Sequence, residues 1–185
     1  MAKKALKAAL IGVGVAGQVS HIPAWKKLES VELVALCDRD QEKAQRVAQR
    51  FGVPLATSTI DDVLADPEID LIDICTPNYL HAPIAIAALE SGKHVLVERP
   101  IARNGAETEK MVKAAEKSGC LLECALAHRF REDTKILKKF VDRGELGEVF
   151  YTKTGWLRQR TDWRSEEWRQ QKQVAGGGVL LDLGV

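Results

Sequence analysis

At 185 residues, with 45% hydrophobic and 29% charged side chains, the chain has the mixture of a globular protein and enough length for one full domain and part of a second. Twenty-seven Lys and Arg against 26 Asp and Glu leave a net charge of +1, which gives no electrostatic case for a nucleic-acid partner. No apolar run reaches the roughly 18 residues a membrane helix needs, and the Met1-Ala2-Lys3-Lys4 start lacks the apolar core of a signal peptide, so a cytoplasmic protein with no membrane partner is expected.

The first predicted element is a buried strand in Ala8-Ala9-Leu10-Ile11, running straight into Gly12-Val13-Gly14-Val15-Ala16-Gly17. In the pattern G-x-G-x-x-G each glycine has a separate role. Gly12 turns the chain off the strand, Gly14 lets backbone amides approach a pyrophosphate, and Gly17 lets the next helix pack close to the sheet. That helix is expected over Val15 to Leu28, bent or interrupted at Pro23. Its N-terminus, with unpaired N–H groups and a favourable dipole, is where a phosphate would sit.

Val31 to Cys37 reads as a second strand, closed by Asp38 about twenty residues past Gly17, where this kind of fold places an acid on the adenosine ribose. Asp38 favours NAD, whereas Arg39 beside it offers a guanidinium to a 2′-phosphate, so NADP stays open. The plainer role for Asp38 is to cap the helix that begins near Asp40. That helix runs to Phe51, stopped by Gly52 and Pro54. An extended piece (Val53 to Ala56), a short helix (Thr59 to Leu64) and a strand (Ile69 to Cys75) follow, the last leading into Thr76-Pro77-Asn78.

Next come a helix over Ala82 to Glu90, a strand over His94 to Val97 ending in Glu98-Arg99-Pro100, a helix over Asn104 to Lys117 and a strand over Cys120 to Ala125. Asn104 and Glu107 have the spacing of a capping box. Strand and helix alternate through residues 1–127, which predicts an α/β domain of Rossmann type, a doubly wound parallel sheet that binds ligands outside the carboxyl ends of its strands. Gly12 to Gly17, Asp38, Thr76 to Asn78, Glu98 to Pro100 and His128 all fall at such ends.

Residues 128–185 read as the beginning of a second, α+β domain. A charged amphipathic helix is expected over Thr134 to Arg143 and an alternating strand over Glu148 to Trp156. A Trp- and Arg-rich stretch (Trp156 to Arg169) follows; neutral net charge argues against a nucleic-acid platform and favours packing and substrate-side residues. Gly176-Gly177-Gly178 before an apolar run predicts a loop leading into a helix. A strand at 148–156 lacking its sheet would expose edge groups, so homo-oligomerisation through this part, or disorder beyond about residue 145, is expected. Cys37, Cys75, Cys120 and Cys124 lack zinc or redox spacing and read as small hydrophobic residues, with no metal implied.

Four stretches carry a resemblance to the glucose–fructose oxidoreductase / inositol dehydrogenase (Gfo/Idh/MocA) family: Gly12 to Gly17, Thr76-Pro77-Asn78-x-x-His81, Gly92 to Pro100, and Gly176 to Gly184. The resemblance implies an N-terminal Rossmann domain, a C-terminal open-sheet domain, and hydride transfer between NAD(P) and a hydroxyl-bearing carbon of a sugar, cyclitol or similar small molecule. It places Gly12, Gly14, Val15, Ala16 and Gly17 on the pyrophosphate loop, Asp38 and Arg39 at the ribose, Thr76, Pro77, Asn78 and His81 beside the cofactor, and Glu98 near the nicotinamide ribose. Arg99 stands where the family has lysine, and Asp182 falls on the Asp of its D-x-G-x-H motif; both are candidates to orient the substrate oxygen.

Two departures bear on chemistry. Arg99 stays charged and is a poor proton carrier, although it can polarise a carbonyl. The motif's histidine would be residue 186, so proton transfer falls to His81 or His128 by location, with His21 and His94 weaker. The alternative is a dinucleotide-binding module without turnover. A methyltransferase-like reading of the glycine loop accounts for the first two strands but not for Gly92 to Pro100.

Overall fold

The computed structural model describes residues 5–155, 168, 171–178 and 181. Six parallel strands form one sheet: β1 (Leu6–Ile11), β2 (Val31–Cys37), β3 (Leu55–Thr57), β4 (Leu71–Ile74), β5 (His94–Val97) and β6 (Leu122–Cys124). Their order is β3-β2-β1-β4-β5-β6, so the direction of winding reverses between β1 and β4. This is the doubly wound arrangement expected, and its crevice opens at the carboxyl ends of those two strands.

Side-chain alternation along β1 explains why both faces of the sheet are covered. Ala8 and Leu10 point into one core with Ile22 of α1 (Ile22–Trp25) and Val47 of α2 (Gln41–Phe51). Ala9 and Ile11 point into the other with Ile84 and Ala85 of α4 (His81–Glu90), Met111 of α5 (Gly105–Ser118) and Val63 of α3 (Ile60–Ala65). A strand buried on both faces must be apolar at nearly every position, which is how β1, β2 and β5 read.

Local signals act where they were expected, with small adjustments. Asp40 caps α2 by accepting from the Lys43 N–H at 3.0 Å, and Gly52 closes it in the left-handed region (φ +63°). Asn104 accepts from the Glu107 N–H at 3.0 Å, but Glu107 returns to the Arg103 N–H (3.0 Å), one residue before the usual capping-box partner. Pro23 lies within the helical stretch after the glycine loop, and the preceding turn (Gly17–His21) widens so that the Ile22 N–H reaches the Gly17 carbonyl. An i→i+5 turn relieves the clash between a proline ring and the carbonyl four residues back.

The described chain groups into two compact units, Met1–Ala125 with Trp168–Val185, and Leu126–Glu167. This differs from the sequence division at 127/128. A short helix, α7 (Lys172–Ala175), belongs with the sheet because the Asn78 amide donates to the Ala175 carbonyl (2.8 Å) and Arg103 donates to the Gln173 carbonyl (2.9 Å). Gly176 (φ +86°) presses so closely on Arg103 that a Cβ there would lie 2.7 Å from the arginine Cβ.

The second unit holds the expected amphipathic helix, α6 (Glu132–Asp142), with Ile136, Leu137, Phe140 and Val141 exposed. The predicted strand over Glu148 to Trp156 is a correction: its described part, residues 148–155, forms no strand. Alternation of apolar side chains supplies one face of a sheet but no ladder, and backbone donors here find no partner strand among the described residues. Among the described residues no helix is long and apolar enough to cross a membrane.

Candidate functional site

The glycine loop sits at the point where the sheet reverses. The Gly12 N–H donates to the Cys37 carbonyl (2.7 Å) and the Cys75 N–H to the Ile11 carbonyl (2.8 Å), so the ends of β2, β1 and β4 are tied together. Gly12 has φ +96°, and a Cβ there would lie 2.6 Å from the Cys75 carbonyl oxygen; no other residue fits. Gly17 is equally confined, with a Cβ position 2.8 Å from the Gly12 carbonyl. Gly14 by contrast faces open space, with nothing within 4 Å of where its Cβ would be. The helical chain starts at Val15, directing its first N–H groups toward that opening.

Asp38, at the end of β2, braces this loop. One carboxylate oxygen accepts from the Val13 N–H (3.0 Å) and from Lys43 Nζ (3.0 Å), and the other accepts from the Asp40 N–H (3.1 Å). The capping role that competes with the ribose role therefore belongs to Asp40, while Asp38 links the glycine loop to the start of α2. Lys43 adds a cation that sequence spacing alone did not single out. Arg39 lies on the same turn.

Beyond β4, Thr76 carries the only buried side-chain polar atom without a hydrogen-bond partner among the described residues, its Oγ1. Asn78 is buried and committed to Ala175. His81 is 0% exposed, with Nδ1 2.8 Å from the Pro100 carbonyl and Nε2 2.8 Å from the Thr76 carbonyl. Burial lowers its pKa, and the two carbonyls oppose that only in part. His81 thus stands between the Thr76–Asn78 and Arg99–Pro100 loops, and its single N–H in the neutral form donates to one of the two carbonyls. The ring expected beside the cofactor is wholly buried, with each nitrogen facing a backbone carbonyl.

Glu98 closes β5. Its Oε2 accepts from the Arg99 N–H (2.8 Å), and its Oε1 lies 2.9 Å from His21 Nε2. The other nitrogen of His21 is 2.9 Å from Oδ2 of Asp73, a carboxylate 0% exposed in the middle of β4, and Trp25 Nε1 donates to the same oxygen at 2.6 Å. Burial works against charge on His21, but the hydrogen bonds to Asp73, Cys75 and Glu98 outweigh it and carry its pKa up to about 12. Burial likewise works against charge on Glu98, and His21 and the Arg99 N–H reverse it, holding the carboxyl below its ordinary range. The cluster is an imidazolium between two carboxylates.

Sequence reasoning passed over this cluster, yet signals for it exist. A carboxylate inside the apolar run Ile69 to Cys75 demands a buried partner, and His21 and Trp25, four apart on one helix, share a face. His21, Asp73 and Cys75 also bring three potential ligand atoms within 4.8 Å of one another. Burial pushes the Cys75 thiol up to about 12, and the Asp73 oxygen nearest His21 already faces two donors. The hydrogen bonds tie His21 and Trp25 to Asp73 as an ion-pair network.

Of the other expected site residues, Asp182 lies outside the described residues, as does most of the Trp- and Arg-rich stretch. His128 lies in the second unit, in a short turn (Ala127–Phe130). His94 accepts from the Leu121 N–H (3.0 Å) and joins β5 to the approach of β6. All four cysteines are free thiols.

Comparison with known proteins bears on this geometry. Residues 6–126 match the family model described as "Oxidoreductase family, NAD-binding Rossmann fold", and residues 134–185 match the "GFO/IDH/MocA C-terminal domain". A putative UDP-kanosamine synthase oxidoreductase subunit of Amycolatopsis mediterranei is 36% identical over 179 residues, covering 97% of this chain and 49% of that protein. D-glucoside 3-dehydrogenase of Escherichia coli is 32% identical over 185 residues, covering 100% of this chain and 52% of that protein. The solved structure of levoglucosan dehydrogenase in complex with NADH and levoglucosan superposes with a TM-score of 0.81 at 30% identity, covering 98% of this chain and 51% of that one. The chain spans about half the length of the curated relatives it matches.

Proposed function

The chain belongs to the Gfo/Idh/MocA oxidoreductase family, and from that premise we propose that it binds NAD, with NADP as a second acceptor, and serves hydride transfer to or from a hydroxyl-bearing carbon of a sugar, cyclitol or similar small molecule. The observation that carries this reading is the contrast within the glycine loop. Gly12 is pressed onto the Cys75 carbonyl, whereas Gly14 opens onto free space at the point where the sheet reverses. A diphosphate fits there against backbone N–H groups and the start of a helix.

Gly12, Gly14, Val15, Ala16 and Gly17 hold the diphosphate, and Asp38 takes the adenosine ribose with its remaining lone-pair capacity. Lys43, on the same carboxylate, and Arg39 temper its repulsion of a 2′-phosphate, which supports the NADP option. The loop Thr76-Pro77-Asn78, with the unpartnered Thr76 hydroxyl, stands on the opposite side of the crevice. When bound, the nicotinamide supplies the hydride chemistry, and the protein supplies placement. Glu98 fixes the ribose next to it, and Arg99 and Asp182 hold the substrate oxygen, where a guanidinium stabilises negative charge without giving up a proton.

Small-molecule sugar substrates are what the names of the relatives support, such as a D-glucoside and levoglucosan. Four free thiols suit a reducing cytoplasm. The exposed apolar side of α6 suits self-association through the C-terminal part, measurable by light scattering across a dilution series. Titration with NADH and NADPH, followed by assays of NAD reduction against a panel of sugars and cyclitols, tests the reading in two stages. Binding with turnover supports the enzyme, binding alone supports a dinucleotide-binding module, and absence of binding removes the proposal.

A further inference from the structure

Asp73 sits at the centre of a sheet whose neighbouring side chains are apolar, and a buried carboxylate is retained in such a place only when its partners are held as firmly as it is. Its partners come from the helical stretch that follows the glycine loop. His21 stands on the widened turn Gly17–His21, Trp25 stands one turn further on, and both reach Asp73. The far side of the His21 ring then contacts Glu98 at the end of β5, two strands away from the glycine loop. Neither His21 nor Asp73 lies among the residues that line the proposed cofactor crevice.

We propose that Asp73, Trp25 and His21 form a buried positioning relay that holds the Glu98 carboxylate in place, and so couples the helix of the diphosphate loop to the nicotinamide end of the site. The relay explains why Glu98, a solvent-accessible residue at a strand end, has both oxygens committed, one to His21 and one to the Arg99 N–H. Groups facing His21 are Asp73 and Cys75 from the β4 side and Glu98 from β5; those facing Glu98 are His21, Arg99, Cys75, His81 and Cys124. What Glu98 touches rests on the cofactor reading above; the relay itself rests on the geometry.

The test uses the 185-residue chain and the variants H21Q, E98Q and the double variant, with NADH binding followed by nicotinamide fluorescence from pH 6 to 9. Wild type is expected to bind with a flat pH profile. H21Q is expected to bind about tenfold more weakly across this range, the loss of one charged hydrogen bond to Glu98. In the E98Q background the His21 change is expected to add nothing. Undiminished binding by H21Q, or a full additional loss in the double variant, overturns the relay. Imidazole nitrogen NMR of the unliganded wild type gives an independent test: both His21 nitrogens carry protons at pH 8 if the relay holds, and one bare nitrogen overturns it. If NADH fails to bind wild type while His21 is doubly protonated and E98Q alters its signal, the cofactor reading falls and the relay stands.

Discussion

The two compact units use the same kind of amphipathic sequence to opposite ends. In the first, α2 lays Ala44, Val47 and Ala48 against the sheet and keeps Lys43, Arg46 and Arg50 outside, so its apolar stripe is fully spent on the core. In the second, α6 has an equally clear stripe in Ile136, Leu137, Phe140 and Val141, and these side chains remain 43–58% exposed. A helix period in the sequence specifies which side chains share a face, and only a surface of matching shape decides whether that face is buried. The first unit contains that surface and the second, as described, does not.

Substitutions at graded depth probe this contrast. The largest effect is expected from Gly12→Ala, which sets a methyl against the Cys75 carbonyl at a positive φ; about 3 kcal/mol of stability should be lost in urea titration, and NADH binding with it. If Gly12→Ala is tolerated, the first unit is less tightly determined than its packing indicates. Asp73→Asn comes next, leaving His21 and Trp25 facing a half-matched group, with a cost of about 2–3 kcal/mol by chemical denaturation.

The pH dependence of stability sharpens the same comparison. His21 has a folded-state pKa far above its unfolded value, so its contribution is complete below about pH 6.5 and is lost progressively as pH rises toward 12. Glu98 is depressed, so its contribution is complete above about pH 4.5 and fades as pH falls through the lower folded value. Denaturation midpoints should therefore decline from pH 7 to 10 in wild type and decline less in H21Q. Lys43→Ala is a smaller change; with Asp38 no longer paired to a cation, preference for NADH over NADPH should widen about fivefold in parallel titrations. Leu137→Glu in α6 should change the unfolding free energy in urea by no more than about 0.5 kcal/mol, while weakening any self-association seen by sedimentation. A large destabilisation there would mean the stripe is covered after all.

The sheet was largely legible in the sequence because its strands are continuous apolar runs closed by glycine, proline or a capping residue. Boundaries moved by a residue or two, as from Ile69–Cys75 to Leu71–Ile74, the stretch in register with β1. The glycine loop was legible for a deeper reason: only one backbone conformation lets Gly12 pass the Cys75 carbonyl. What sequence could not supply were contacts between residues far apart in the chain. Nothing local to His81 tells that Pro100 and Thr76 will occupy its two nitrogens. Likewise nothing local to Asn78 announces Ala175, 97 residues on. The strand expected at 148–156 failed for the converse reason, because alternation is local and a ladder is not.

The docking of Gln173, Ala175 and Gly176 onto Arg103 and Asn78 has a consequence for synthesis. The ribosome makes the six strands long before it makes the segment that ties off the loop after β4. Between those moments the nascent sheet exposes the buried Asn78 amide and the slot that only a glycine fits, with the whole second unit still emerging. Completion of the first unit thus waits for its last contributor to clear the exit tunnel, and a pause in translation near residue 170 would prolong the open interval.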